Sequence, residues 1–141
     1  MNTAFWQIMH DGTIAAIRGE VPGDIELTVE LECVCQHLPG ADDTLHATLR
    51  GCRLFVYTPF GESIVTGLQR IAEQEPEVLS AVAQADRISV CCVNGTLDLA
   101  YAAIEVRSDQ GQLISQPELE AAANQSVAQW REQNRGGRAA R

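Results

Sequence analysis

The sequence contains no lysine: all ten basic side chains are arginines, and they face nineteen Asp and Glu for a formal net charge of -9 at pH 7. A body this acidic repels phosphate backbones and anionic lipid surfaces, so neither nucleic acid nor membrane is an expected partner. No stretch approaches the ~18 consecutive apolar residues of a membrane-spanning helix. Residues 1 to 18 lack the basic region and apolar run of an export signal. The five cysteines are odd in number and include no C-x-x-C, which fits reduced thiols in a cytoplasmic protein and leaves thioredoxin-like and zinc-ribbon readings without a motif. There is also no G-x-S-x-G, P-loop or dinucleotide fingerprint, hence no ground for naming a reaction. Alanine and arginine richness without lysine fits a GC-rich genome more simply than an arginine-specific role.

The chain has 141 residues, 45% hydrophobic, 5% aromatic and 21% charged, the profile of one ordinary globular domain. At this size about two-thirds of the unfolded surface is buried, enough for a core without metal or disulfide. No cofactor is expected. We read residues 1 to 133 as the domain and the Gly- and Arg-rich residues 134 to 141 as a tail.

Within the domain, residues 4–9 and 13–18 read as two strands joined through His10-Asp11-Gly12. From Ile25 to Cys35 apolar residues alternate with Glu26, Thr28, Glu30, Glu32 and Val34, the period of a strand with one wet face. The run 45–60 changes phase at Gly51, which suggests a bulge or bend. Ile64, Leu68, Ile71 and Ala72 have the spacing of a short inner helix stopped by Pro76. Residues 77–83, whose alanine content suits a helix equally, and 87–93 read as strands, Asn94-Gly95 as a hairpin turn, 96–106 as another strand and Asp109-Gln110-Gly111 as a turn. Finally, Ser115 and Glu118 form a capping box, with Pro117 harmless in the first turn. A stripe of Leu119, Ala122, Ala123, Ser126, Val127 and Trp130 follows, which predicts a helix anchored on the core by Trp130. The fold class expected is mainly β or α+β: an antiparallel β sandwich or rolled sheet with a C-terminal helix and one short inner helix.

The candidate chemistry is sparse. Cys33, Cys35 and His37 share one strand phase, but zinc needs its sulfurs ~4 Å apart and same-face strand neighbours stand ~6.8 Å apart, so small buried hydrophobes are the simpler reading. Cys91 and Cys92 are adjacent and point to opposite faces. Among the histidines, His10 beside Asp11 is the best candidate for acid–base work, although Asp-Gly turns arise for backbone reasons alone. His46 sits on a polar phase. The sharpest feature is Glu26, Glu30 and Glu32 on one expected strand face, joined by Glu20 and Asp24 in its entry loop, with no base among these five acids. A solvated sheet face explains them, and so does neutralisation by Arg18, Arg50, Arg53 or Arg107 from neighbouring strands.

At Phe5-Trp6, His10-Asp11-Gly12, Ile17-Arg18-Gly19, Pro22-Gly23-Asp24, Gly51-Cys52, Glu75-Pro76-Glu77 and the helix ending at Trp130, the chain resembles a group of short bacterial proteins without an assigned activity. Its size and acidity are also similar to those of immunity proteins that neutralise toxins, an analogy and no more. The preferred expectation is a non-catalytic protein-binding module that presents Glu20, Asp24, Glu26, Glu30, Glu32 and His10 to a basic protein partner. One alternative is a metal-assisted or acid–base enzyme using the same glutamates with His10 or His37. Another is a small-molecule binder with a pocket between sheet and terminal helix, floored by Trp6 or Trp130. Homodimerisation through a sheet edge or face is a further expectation.

Overall fold

The alternation that begins at Ile25 builds the strand around which one sheet is organised. The computed structural model describes residues 2–38, 40 and 43–139, with side chains to residue 134. In it, β2 (Gly23–Glu30) buries Ile25, Leu27 and Val29 and exposes Asp24, Glu26 and Glu30. Antiparallel neighbours flank it: β1 (Thr13–Gly19) sets Ile17 opposite Leu27, and β3 (Thr44–Cys52) sets Ala47 against the same residue. One phase of each strand therefore faces inward, and a slip of one residue would invert it.

The phase change at Gly51 is a change of sheet. Gly51 has a φ of 61°, a left-handed conformation that favours glycine. Beyond it the chain leaves β3 and enters β4 (Leu54–Pro59). Alongside, β7 (Gly95–Ala100) passes through Tyr101-Ala102 into β8 (Ala103–Ser108). Arg50 pairs with Ala103 on one side of this corner and Leu54 with Ala100 on the other. Across it the Arg53 N–H donates to the Ala100 carbonyl at 2.9 Å and the Ala102 N–H to the Arg50 carbonyl at 2.8 Å. A single long ribbon is thus bent and shared by two sheets, a way of closing one sheet over another. With β5 (Val78–Ala83), β6 (Ile88–Cys92) and β9 (Leu113–Ile114), the strand orders are β1-β2-β3-β8-β9 and β4-β7-β6-β5, every pairing antiparallel. One core cluster joins both sheets. The inner helix forms as α3 (Leu68–Glu73), burying Ile71 before Pro76. The expected α+β class, two antiparallel sheets with a C-terminal helix, is the architecture.

Several elements differ from their sequence reading. Residues 4–9 are no strand: Ala4–Ile8 is a helix, α1. A strand would send Phe5 and Trp6 to opposite faces, whereas the helical turn buries Phe5, Trp6 and Met9 together. The Asp11-Gly12 turn consequently links α1 to β1, with Asp11 itself left-handed at φ 71°. The long alternation stops at Glu30, and Glu32–Cys35 forms a helical turn, α2, with the Cys35 N–H donating to the Leu31 carbonyl. Burial of the adjacent Val34 and Cys35, with Cys33 exposed, is the packing that a strand cannot deliver. The hairpin at Asn94-Gly95 exists one residue earlier than read: Cys92 pairs with Gly95, and Val93-Asn94 form the turn.

The terminal helix, α4 (Gln116–Ala139), begins on the expected capping box. The Ser115 hydroxyl accepts the Glu118 N–H at 3.3 Å, and the Glu118 carboxylate accepts the Ser115 N–H at 3.0 Å. That bond to the Ser115 backbone holds the Glu118 carboxyl below its ordinary value. Because the folded value is the lower one, the stabilisation is complete above the unfolded value and is lost as pH falls through the folded value. Ser115→Ala is expected to destabilise the protein by about 1 kcal/mol, measured by denaturant unfolding. Leu119 and Ala122 are buried, but Val127 is 48% and Trp130 64% exposed, so Trp130 does not anchor the helix. The backbone remains helical to Ala139, within the residues read as tail. Among the described residues, no helix is long and apolar enough to cross a membrane.

Candidate functional site

The acids expected on one strand face divide into two settings. In the first, toward the β1–β2 connection, arginines from neighbouring strands meet them. Arg50 donates to the Asp24 carboxylate at 2.9 Å and to Glu105 at 3.1 Å. The Gly51 N–H and then Arg50 hold the Asp24 carboxyl below the usual carboxylate range. Glu26 lies opposite Arg18 in register, Glu20 is exposed in the loop before β2, and Arg107 stands 3.7 Å from Glu105. Arg53 takes no part: it reaches the Asp86 carbonyl instead. This half of the face is a mixed-charge surface.

The second setting is where β2 ends. Glu30 is its last residue, Leu31 turns inward, and α2 carries Glu32 off the strand, so the three glutamates do not share one strand face. The Leu31 N–H donates to the Asp43 carbonyl at 2.9 Å, which brings the start of β3 alongside, and Asp11 arrives from the end of α1. Asp11, Glu30, Glu32 and Asp43, with Thr13 and Thr44, line an open groove of about 850 Å³. No basic residue lines it among the described residues. Carboxylates gathered in this way create a negative field that a diffusing cation feels before contact.

Beside the groove, and sharing Asp11, Cys33 and Gln36 with it, is a cleft of about 860 Å³ between α1, α2 and α4. Its apolar lining comes from Ile8, Val34, Val127 and Trp130, and its polar rim includes Gln7, His10 and Gln129. The Gln129 carboxamide oxygen lies 3.1 Å from His37 Nε2 and 3.3 Å from Gln36 Nε2, and these contacts tie α4 to the end of α2. His10 is held by its Nδ1, 2.6 Å from the Leu79 carbonyl. A carbonyl only accepts, so Nδ1 carries hydrogen, and Nε2 is left facing the Asp11 carboxylate at 3.5 Å. The His10–Asp11 pair anticipated from the turn is therefore present, at the junction of groove and cleft.

The sheet face offers one arrangement of catalytic residue types. His46 Nδ1 lies 3.4 Å from the Thr28 hydroxyl, and its Nε2 lies 3.1 Å from Asp109, which also accepts from Thr44. Hydroxyl, imidazole and carboxylate stand in line, yet β2 is paired on both edges, so its N–H groups are committed to the ladder instead of to a developing oxyanion. Among the described residues no three His, Cys, Asp or Glu side chains gather as a metal site.

The thiols sort by burial. Cys33 and Cys91 are exposed, and Cys35, Cys52 and Cys92 are buried. Desolvation pushes the Cys92 thiol up to about 12 and raises Cys52 as well. Native protein is expected to expose two fast-reacting thiols to a colorimetric thiol reagent and the remaining three only after unfolding.

The preferred reading missed the apolar half of this site because it anchored the helix through Trp130, whereas the small-molecule alternative set Trp6 or Trp130 at the floor of a pocket beside that helix. The available signal was the helix itself: from 127 to 134 the large apolar residues are Val127 and Trp130, set among Ala, Gln, Arg, Glu and Asn, too little to bury a helix face. No family model, curated protein or solved structure matches the chain.

Proposed function

We propose that the protein is a non-catalytic binding module that takes a basic, partly apolar polypeptide segment along the acidic groove and into the adjoining cleft. The observation that carries this reading is the junction of four carboxylates, Asp11, Glu30, Glu32 and Asp43, with the exposed apolar pair Val127 and Trp130. Large exposed aromatics beside unneutralised charge mark recognition surfaces: the charge sets encounter rate and orientation, and the aromatic side chain supplies desolvated contact area. A basic toxin bound by an immunity-like protein is one partner of this chemistry.

The test is binding of an amphipathic peptide built from arginine and leucine. Glu30→Arg/Glu32→Arg is expected to weaken it roughly 10- to 100-fold, with a steep salt dependence in the parent protein that the variant loses. Glu26→Arg, on the mixed-charge half, is expected to change affinity by less than about threefold. An equal loss at Glu26 would move the site to the sheet face and overturn the groove. Alkylation of Cys33, which lines both groove and cleft, is expected to block the peptide, and alkylation of Cys91 is not.

A further inference from the structure

Resting on that reading, we infer that one occupant of this surface is the distal half of α4 from a second copy of the chain, in a reciprocal dimer. The chain carries the ligand chemistry that its own surface asks for. Past Gln129, whose carboxamide meets Gln36 at the end of α2, the exposed Trp130 is followed by Arg131, Arg135 and Arg138 at intervals of four and three along a helix that continues to Ala139. Their charge is opposite to that of Asp11, Glu30, Glu32 and Asp43, which line the groove.

The two halves of the charge distribution are complementary. The terminal stretch from 134 holds three arginines, Arg135, Arg138 and Arg141, and no acid, whereas residues 1–133 hold seven arginines and all nineteen acids, a balance of 7 - 19 = -12. The helix is also apolar where the cleft is apolar: Val127 and Trp130 line their own copy's cleft and are 48% and 64% exposed, so a neighbouring helix laid in that cleft covers them. In a two-fold arrangement the same patch serves both copies, each supplying a helix and receiving one, which closes the assembly at two. The partner copy then contributes Trp130 and arginines to a site that the groove and cleft of one chain form only in part.

Light scattering on the full chain, coupled to size exclusion, tests this. In low salt the expected mass is twice that of the 15.3 kDa chain, falling to the single-chain value in high salt. Trp130→Ala, Glu30→Arg/Glu32→Arg and Arg131→Glu/Arg135→Glu/Arg138→Glu are each expected to be monomeric. Mixing the two charge-reversed variants restores a dimer, because in the mixed pair the reversed groove meets the reversed helix and the unchanged groove meets the unchanged helix. A dimer that survives all three variants overturns the inference. So does a wild-type chain that is monomeric at every salt concentration. If that monomer still binds the arginine–leucine peptide in the groove, the binding-module reading stands and only self-docking falls; if it binds nothing, both fall.

Discussion

Trp6→Ala is expected to destabilise the protein by about 4 kcal/mol, a large share of the roughly 5–15 kcal/mol that holds a domain together. The indole is fully buried at 0% exposure, meets the Phe5 ring edge to face at 5.1 Å between centroids, and donates its N–H to the Tyr101 hydroxyl at 3.0 Å. Truncation opens a cavity between α1 and the corner where the ribbon bends, and it strips the buried Tyr101 hydroxyl of its donor. The buried core around it is close-packed and collapses poorly into the space. Denaturant unfolding measures the loss. Trp130→Ala, in the same assay at high salt, where the protein is a single chain, is expected to change stability by less than about 0.5 kcal/mol, because that side chain is 64% exposed there. Comparable losses at both tryptophans would contradict the placement of α4. Trp6 also lies in solid core, which excludes it as the floor of an open pocket.

Gly95→Ala is expected to cost about 3 kcal/mol, with the direction set by atoms that have nowhere to go. A Cβ at position 95 would lie 2.6 Å from the Thr58 carbonyl oxygen and 2.8 Å from both Cζ and Oη of the buried Tyr57. The first of these is backbone in the β4–β7 ladder, so relief means moving a strand that is shared with the corner. Gly67→Ala is the control: its nearest neighbours are methylene carbons of Arg70 at 3.6 Å, ordinary contact, and the expected change is within about 0.5 kcal/mol.

The parts of the fold that were legible in the sequence are those where one local signal sufficed. Alternation gave β2, the phase change at Gly51 gave the corner, and Ser115 with Glu118 gave the start of α4. The readings that failed needed tertiary information. Five residues, Ala4–Ile8, are too few for periodicity to separate helix from strand, and the choice was made by where Phe5, Trp6 and Met9 find the core. The alternation through Cys35 continues in letters after it has stopped in space, because Glu32–Cys35 has the same composition whether it alternates or coils. The candidate site followed the same division. Glu30 and His10 were visible as residues, but the groove depends on Asp43 and Asp11 arriving from distant segments, and the cleft depends on a helix that outruns its core.

The most direct measurement of the central claim is a titration of isotope-labelled protein with the arginine–leucine peptide, followed by amide chemical shifts. The account predicts that the largest shifts fall on Asp11, Glu32, Cys33, Gln36, Asp43 and Trp130, the lining of groove and cleft. Shifts concentrated instead on Asp24, Glu26 and Arg50, or no saturable shift at low salt, would contradict it.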